Sequence, residues 1–114
     1  MTLRAELHCH NIFSNFQLGE EEPPYDCNVT FRDQLEKAHD LDLRVMFVTN
    51  HNTLDGYSQI LKYKNDHQKF KNIQIYPAEE ISTDTGAHVL AYGIQDEIKS
   101  GLPMEEIDRK STRL

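Results

Sequence analysis

The sequence predicts an α/β fold built on a largely parallel sheet, and three observations carry that expectation. Segments of strand and helix character alternate in the order strand, helix, strand, helix, strand. Arg44 to Thr49 (Arg-Val-Met-Phe-Val-Thr) has a continuous apolar centre, the pattern of a strand buried on both faces. The last connection, Thr83-Asp84-Thr85-Gly86, is too short for a parallel crossover, so the third and fourth strands should form an antiparallel hairpin.

Each element has its own justification. Leu3 to His8 reads as the first strand. Asn11 to Asn28 is a long connection rich in turn-formers, holding Gly19, the acidic run Glu20-Glu21-Glu22 and Pro23-Pro24; the acidic run reads as a solvated loop. Thr30 suits an N-cap, and Phe31, Leu35, Ala38 and Leu41 fall at helical spacing over Phe31 to Leu41. Asn52 or Thr53 should cap a second helix over Leu54 to Phe70, with Tyr57, Ile60, Leu61 and Tyr63 inward. Ile73 to Ser82 reads as the third strand and Ala87 to Ile94 as the fourth, with Tyr76 and Tyr92 as core aromatics. The tail, Ser100 to Leu114, holds a helical turn or two after Pro103 and ends without a packing pattern.

The totals narrow the function classes. At 114 residues and 38% hydrophobic content, the chain is the size of one domain with a modest core. Mean hydropathy is −0.67 and no apolar run approaches membrane-spanning length. The N-terminus lacks a basic region followed by an apolar run, which argues against a secretory signal. Cys9 and Cys27 are too few for a disulfide framework, so a reducing cytoplasmic setting is expected. A net charge of −7 disfavours a large electrostatic footprint on nucleic acid, which leaves nucleic acid only as a substrate.

The chemistry gathers in four segments. His8 and His10 are spaced i, i+2 at the end of strand one, so on a strand both imidazoles project to one face. His51 lies just past strand two, Glu79 and Glu80 near the end of strand three, and His88 at the start of strand four. In a parallel α/β layout the carboxyl ends of the strands share one rim, where ligands bind. Because strand four runs back, its start joins that rim. Neutral imidazoles and a carboxylate converging from four distant segments point to a metal site.

Hairpin register tests this convergence. A two-residue turn at Asp84-Thr85 would pair Ile81 with His88 and turn Glu80 to the other face. A three-residue loop with Gly86 in a left-handed bulge is expected instead, pairing Glu80 with His88 so that both reach one metal. His39 and His67 read as surface histidines, Cys9 as a packed residue, and Cys27 gives no signal. Asn52 reads as a cap rather than a substrate contact.

Together these segments resemble the PHP (polymerase and histidinol phosphatase) family of metal-dependent phosphoesterases. The resemblance runs from Leu3 to about Ile94. It rests on Glu-Leu-His8-Cys-His10, on Phe-Val-Thr-Asn50-His51-Asn-Thr, and on Pro-Ala-Glu-Glu80-Ile-Ser-Thr followed by Gly-Ala-His88-Val-Leu-Ala-Tyr-Gly. It implies a distorted (β/α)7 barrel with up to three divalent metals, zinc, manganese or iron, on its carboxyl rim. It also implies hydrolysis of a small phosphorylated substrate by metal-activated water, with no side chain assigned as catalytic base. By resemblance, His8 and His10 would hold one metal, Glu80 would bridge it to a second bound by His88, and His51 would belong to the third position. Glu80 matches the family carboxylate because it directly precedes Ile-Ser-Thr, and Glu79 is its neighbour.

Three departures qualify that forecast. Asn15 and Asn50 stand where the family often has charged or imidazole side chains, and neutral amides are weaker ligands. No histidine follows His88, and only four strands are readable. Residues 1–114 are therefore expected to be an incomplete PHP domain, a partial barrel of about four strands and two helices. Its motifs lie within 3–94, and 95–114 form a tail. Uncovered strand edges and apolar faces are expected, with little or no turnover by the chain alone. The alternative is a non-catalytic metal-binding or structural module of a larger protein.

Overall fold

Four strands form one sheet in the computed structural model, in the order β1 (Ala5–Cys9), β2 (Val45–Val48), β3 (Gln74–Ser82) and β4 (His88–Tyr92). The structure describes residues 3–17 and 27–111. The loop expectations at Gly19, Glu20-Glu21-Glu22 and Pro23-Pro24 lie outside the described residues, as does the side chain of Asn15. β1 pairs with β2 and β2 with β3 in parallel, whereas β4 returns antiparallel to β3. The sheet curls into a half-barrel, so the fold is α/β with a mixed rather than purely parallel sheet.

Three α-helices occur among the described residues: α1 (Phe31–Asp40), α2 (Tyr57–Asp66) and α3 (Met104–Ser111). Thr30 caps α1 as expected, its hydroxyl accepting the Asp33 N–H at 3.2 Å. Leu35 and Ala38 are buried, but Leu41 is the C-cap and stays exposed, so it does not belong to the inner stripe. α2 starts later than predicted, behind Gly56: the Thr53 hydroxyl accepts the Asp55 N–H at 2.8 Å, but the left-handed Gly56 intervenes before the helix begins. Asn52 bonds to Ser82 and Thr53 to Glu97. Gly56 has φ +93°, and a Cβ there would sit 2.6 Å from the Phe13 ring, so the position requires glycine. α2 stops at Asp66, and Gln68–Phe70 continues as a single 3-10 turn.

Strand alternation sorts the sheet into two faces. Met46 and Val48 of β2 and Ile75 of β3 pack with Leu35, Ala38, Ile60, Phe70 and Ile73 beneath α1 and α2. Ile81 continues that face into a second cluster with Ala91, Ile94, Ile98 and Ile107, which anchors α3. The expected helical turns after Pro103 are α3, which packs through Ile107. The opposite face carries Phe47, with Tyr76 at 5.5 Å and Tyr92 at 5.0 Å between ring centroids. Tyr76 and Tyr92 remain 44% and 41% exposed, so they are not core aromatics. They alternate away from the helices, and the Tyr92 hydroxyl donates to the Leu7 carbonyl at 2.8 Å.

The hairpin contains the predicted three-residue loop. Thr83 N–H donates to the Ala87 carbonyl at 2.8 Å, Gly86 N–H to the Thr83 carbonyl at 3.2 Å, and Gly86 has φ +86°. The register differs from the expected pairing: Ser82 lies opposite His88, and Glu80 opposite Leu90. The offset is two residues, and side chains repeat every two, so His88 still emerges on the face of Glu80. No helix among the described residues is long and apolar enough to cross a membrane.

Candidate metal centre

Glu80 is the centre of the site. It lies near the carboxyl end of β3, only 4% exposed, and points to the face opposite the helices. Four imidazoles reach its carboxylate. His8 Nε2 lies 2.5 Å and His10 Nε2 3.4 Å from Oε1. His51 Nδ1 lies 3.1 Å and His88 Nδ1 2.8 Å from Oε2. All five sequence-predicted ligands thus meet at one rim. Their donor atoms form two groups, His8–His10–Glu80 and His51–Glu80–His88, each within 4.8 Å. His51 sits with His88 rather than apart from the others, and its ring is also 4.6 Å from that of His10.

Local structure explains each placement. A register irregularity between Glu6 and Cys9 brings the end of β1 onto the rim, and the Thr49 N–H holds the Cys9 carbonyl at 2.8 Å. His51 leaves β2 in a short parallel bridge to Glu80. Glu80 N–H donates to the Asn50 carbonyl at 3.0 Å, and Asn52 N–H to the Glu80 carbonyl at 2.9 Å. His88 is delivered by the hairpin. The rings differ in access: His10 and His51 are largely buried, whereas His8 and His88 keep about half of their side chains open to solvent. The site therefore has a closed floor and an open mouth.

Electrostatics favours a charged carboxylate here. Burial acts to raise the Glu80 carboxyl, but His51, His8 and His10 together outweigh it and hold it below the ordinary carboxylate range. Glu79 shows the reverse. It is fully buried on the helix-covered face, where desolvation, reinforced by Glu97, pushes its carboxyl up to about 7 despite the Ile98 N–H donated at 3.0 Å. Its side chain thus lies on the face opposite the histidine cluster. Cys9 also turns away, packing on the core and donating to the Phe47 carbonyl at 3.4 Å. Burial pushes its thiol up to about 12, which removes thiolate chemistry. His39 pairs with Asp40, and His67 donates to the Tyr63 carbonyl; both lie on the surface, away from the site.

Several supporting residues were not singled out by sequence. Asn11, Ser14 and Gln34 are buried polar side chains tied to the His10 and His51 segments. Glu97 accepts from the Thr53 hydroxyl and the Leu54 N–H, both at 2.9 Å, and so clamps the turn after His51. Asn11 directly follows His10 and Ser14 lies in the 3-10 helix that comes next, Ile12–Gln17, a positional hint; nothing local marks Gln34 or Glu97. Asn50 also changes meaning. Its side chain faces Asn11 and not the histidines, so it is no ligand, weak or otherwise.

The donor set fits a divalent metal. Four nitrogen donors and one ionised carboxylate suit zinc, iron or manganese, and mutual contact alone leaves imidazole rings crowded about one acceptor. No protein-family profile matches the chain, and no curated protein matches it. Fold and site together define an α/β half-barrel bearing a histidine–carboxylate cluster on its carboxyl rim.

Proposed function

We propose that this chain is part of a PHP-family metal-dependent phosphoesterase, contributing the first four strands of a distorted (β/α)7 barrel. One observation carries the reading: four sequence-distant imidazoles converge on a single buried carboxylate at the strand ends. That is where α/β sheets place ligands, and the same five residues stand in the three motifs that resemble the family. His8 and His10 would hold one divalent ion and His51 and His88 another, with Glu80 shared between them. Ions bound there would polarise a phosphoryl oxygen, lower the pKa of a water and hold attacking and leaving oxygens in line.

The chain's own residues perform the remaining work. Glu80 stays ionised and supplies the compensating negative charge. The buried His10 and His51 set the floor, while the exposed His8 and His88 border the mouth through which a small phosphate ester would enter. The substrate's own identity would be read by residues around that mouth.

The first test is metal content. The purified chain, loaded with zinc or manganese and dialysed, should retain two equivalents, and His10→Ala should retain fewer. Zero or one equivalent in the parent chain would favour the other reading, a non-catalytic metal-binding or structural module. Hydrolysis of a generic aryl phosphate ester by this chain alone should be slight or absent. Steady turnover abolished by His10→Ala would instead show that these 114 residues suffice.

A further inference from the structure

The two halves of the histidine cluster come from different segments, so something must set their separation. A buried chain of amides does so. The Asn11 N–H donates to Asn50 Oδ1 at 2.9 Å, and Asn50 Nδ2 donates back to Asn11 Oδ1 at 2.9 Å. Asn11 Nδ2 then donates to Gln34 Oε1 at 3.1 Å, and Gln34 Nε2 to the His10 carbonyl at 2.8 Å. Asn11 and Asn50 are 0% and 2% exposed, so these bonds have no competing water. Asn50 meanwhile precedes His51 and accepts the Glu80 N–H through its carbonyl.

Every amide orientation in this relay is dictated by a backbone group. The Asn11 N–H requires an oxygen from Asn50. The Phe13 N–H, 3.1 Å from Asn11 Oδ1, requires an oxygen there too. The His10 carbonyl requires the nitrogen of Gln34. Each side chain must therefore donate with one end and accept with the other, which a carboxamide does and an ionised carboxylate, acceptor-only, does not. We infer that Asn50, with Asn11 and Gln34, is a positioning device that fixes the separation of His10 and His51 so that both reach Glu80. This rests on the metal-site reading above but makes a separate claim.

Asn50→Asp discriminates the roles, because it has opposite signs under them. Were position 50 a supplier of ligand or charge, aspartate would tighten metal binding. Under the relay, a carboxylate still accepts the Asn11 N–H but sets its second oxygen against Asn11 Oδ1, and the disturbance passes to His10. The experiment combines two readouts on the full chain. One is the nuclear Overhauser contact between the His10 and His51 rings without metal, expected from their 4.6 Å centroid separation. The other is Co²⁺ affinity, followed by its visible spectrum. Asn50→Asp should keep the far-ultraviolet circular dichroism of the parent, lose the ring contact and bind Co²⁺ about 10–100-fold more weakly, the usual cost of losing an outer-shell partner. An unchanged ring contact, or equal or tighter Co²⁺ binding, overturns the relay. If the parent takes up no Co²⁺ while the ring contact still responds, the metal reading fails and the relay stands. Should Asn50→Asp not fold, the same two measurements on Gln34→Met decide, since that change cuts the links to Asn11 Nδ2 and the His10 carbonyl and leaves the Asn11–Asn50 pair in place.

Discussion

Glu79 and Glu80 are adjacent carboxylates on one strand, and they live in opposite chemical worlds. Glu80 faces the open side of the sheet, where four imidazoles surround it and His51, His8 and His10 hold it below the ordinary carboxylate range despite its burial. Glu79 faces the helix-covered side, beside the Ile81, Ala91, Ile94, Ile98 and Ile107 cluster, where desolvation pushes it up to about 7. The pleat alone separates them. A strand's alternation thus assigns one glutamate to chemistry and the next to structure, although residue type and sequence position barely differ.

The largest way to break this contrast is Glu80→Gln. It removes the shared anion, and losing a ligand should exceed the 10–100-fold typical of an outer-shell partner. Metal affinity, measured by competition with a chromophoric chelator, should fall by more than about 100-fold. The urea melt of the metal-free chain should stay cooperative.

Next in size is Ile81→Ala, on the covered face. Ile81 is fully buried, and truncating it should lower stability by about 2–4 kcal/mol, read from the urea midpoint. Little loss would mean that the cluster beneath α3 collapses to fill the space.

Glu79→Gln sharpens the comparison with the opposite sign. Glutamine keeps the acceptor for the Ile98 N–H but cannot ionise. The folded Glu79 carboxyl lies above its ordinary 4.5, so its protonated form is favoured by folding. The stability this contributes is fully present below about pH 4.5 and is lost as pH rises through about 7. Glu79→Gln should therefore match the parent at pH 4 and exceed it by about 1–3 kcal/mol at pH 8. Equal stability at both pH values would contradict a raised Glu79. The smallest effect is expected from Tyr76→Thr on the open face. That ring is 44% exposed, so stability should change by less than about 1 kcal/mol.

Much of this arrangement is legible from sequence where the signal is local. Leu35 and Ala38 announce a helix face, Thr30 its cap, and Val45 to Val48 a strand, although it is fully buried only on the helix side and not on both faces as its apolar run predicts. The five cluster residues are identifiable because each lies at or within a few residues of a strand end. Errors arise where a side chain's partner is distant. Asn52 and Thr53 resemble helix caps, yet Ser82 and Glu97 claim them, and α2 begins at Tyr57. Tyr76 and Tyr92 resemble core residues because aromatics usually are, but whether a face is covered depends on the helices crossing it. The hairpin pairing was displaced by two residues and the site survived, since only the parity of the register chooses the face.

Sequence by itself determined the order of the elements and the segments that carry chemistry, because periodicity and turn residues act over a few neighbouring positions. It also separated Glu80 from Glu79, through the motif that follows. Only the tertiary structure decided that four imidazoles share one carboxylate, that Asn50 serves Asn11 instead of a metal, and that Glu79 is buried against apolar side chains. Those outcomes depend on which distant atoms a curled sheet brings within hydrogen-bonding reach, and on which atoms it removes from water.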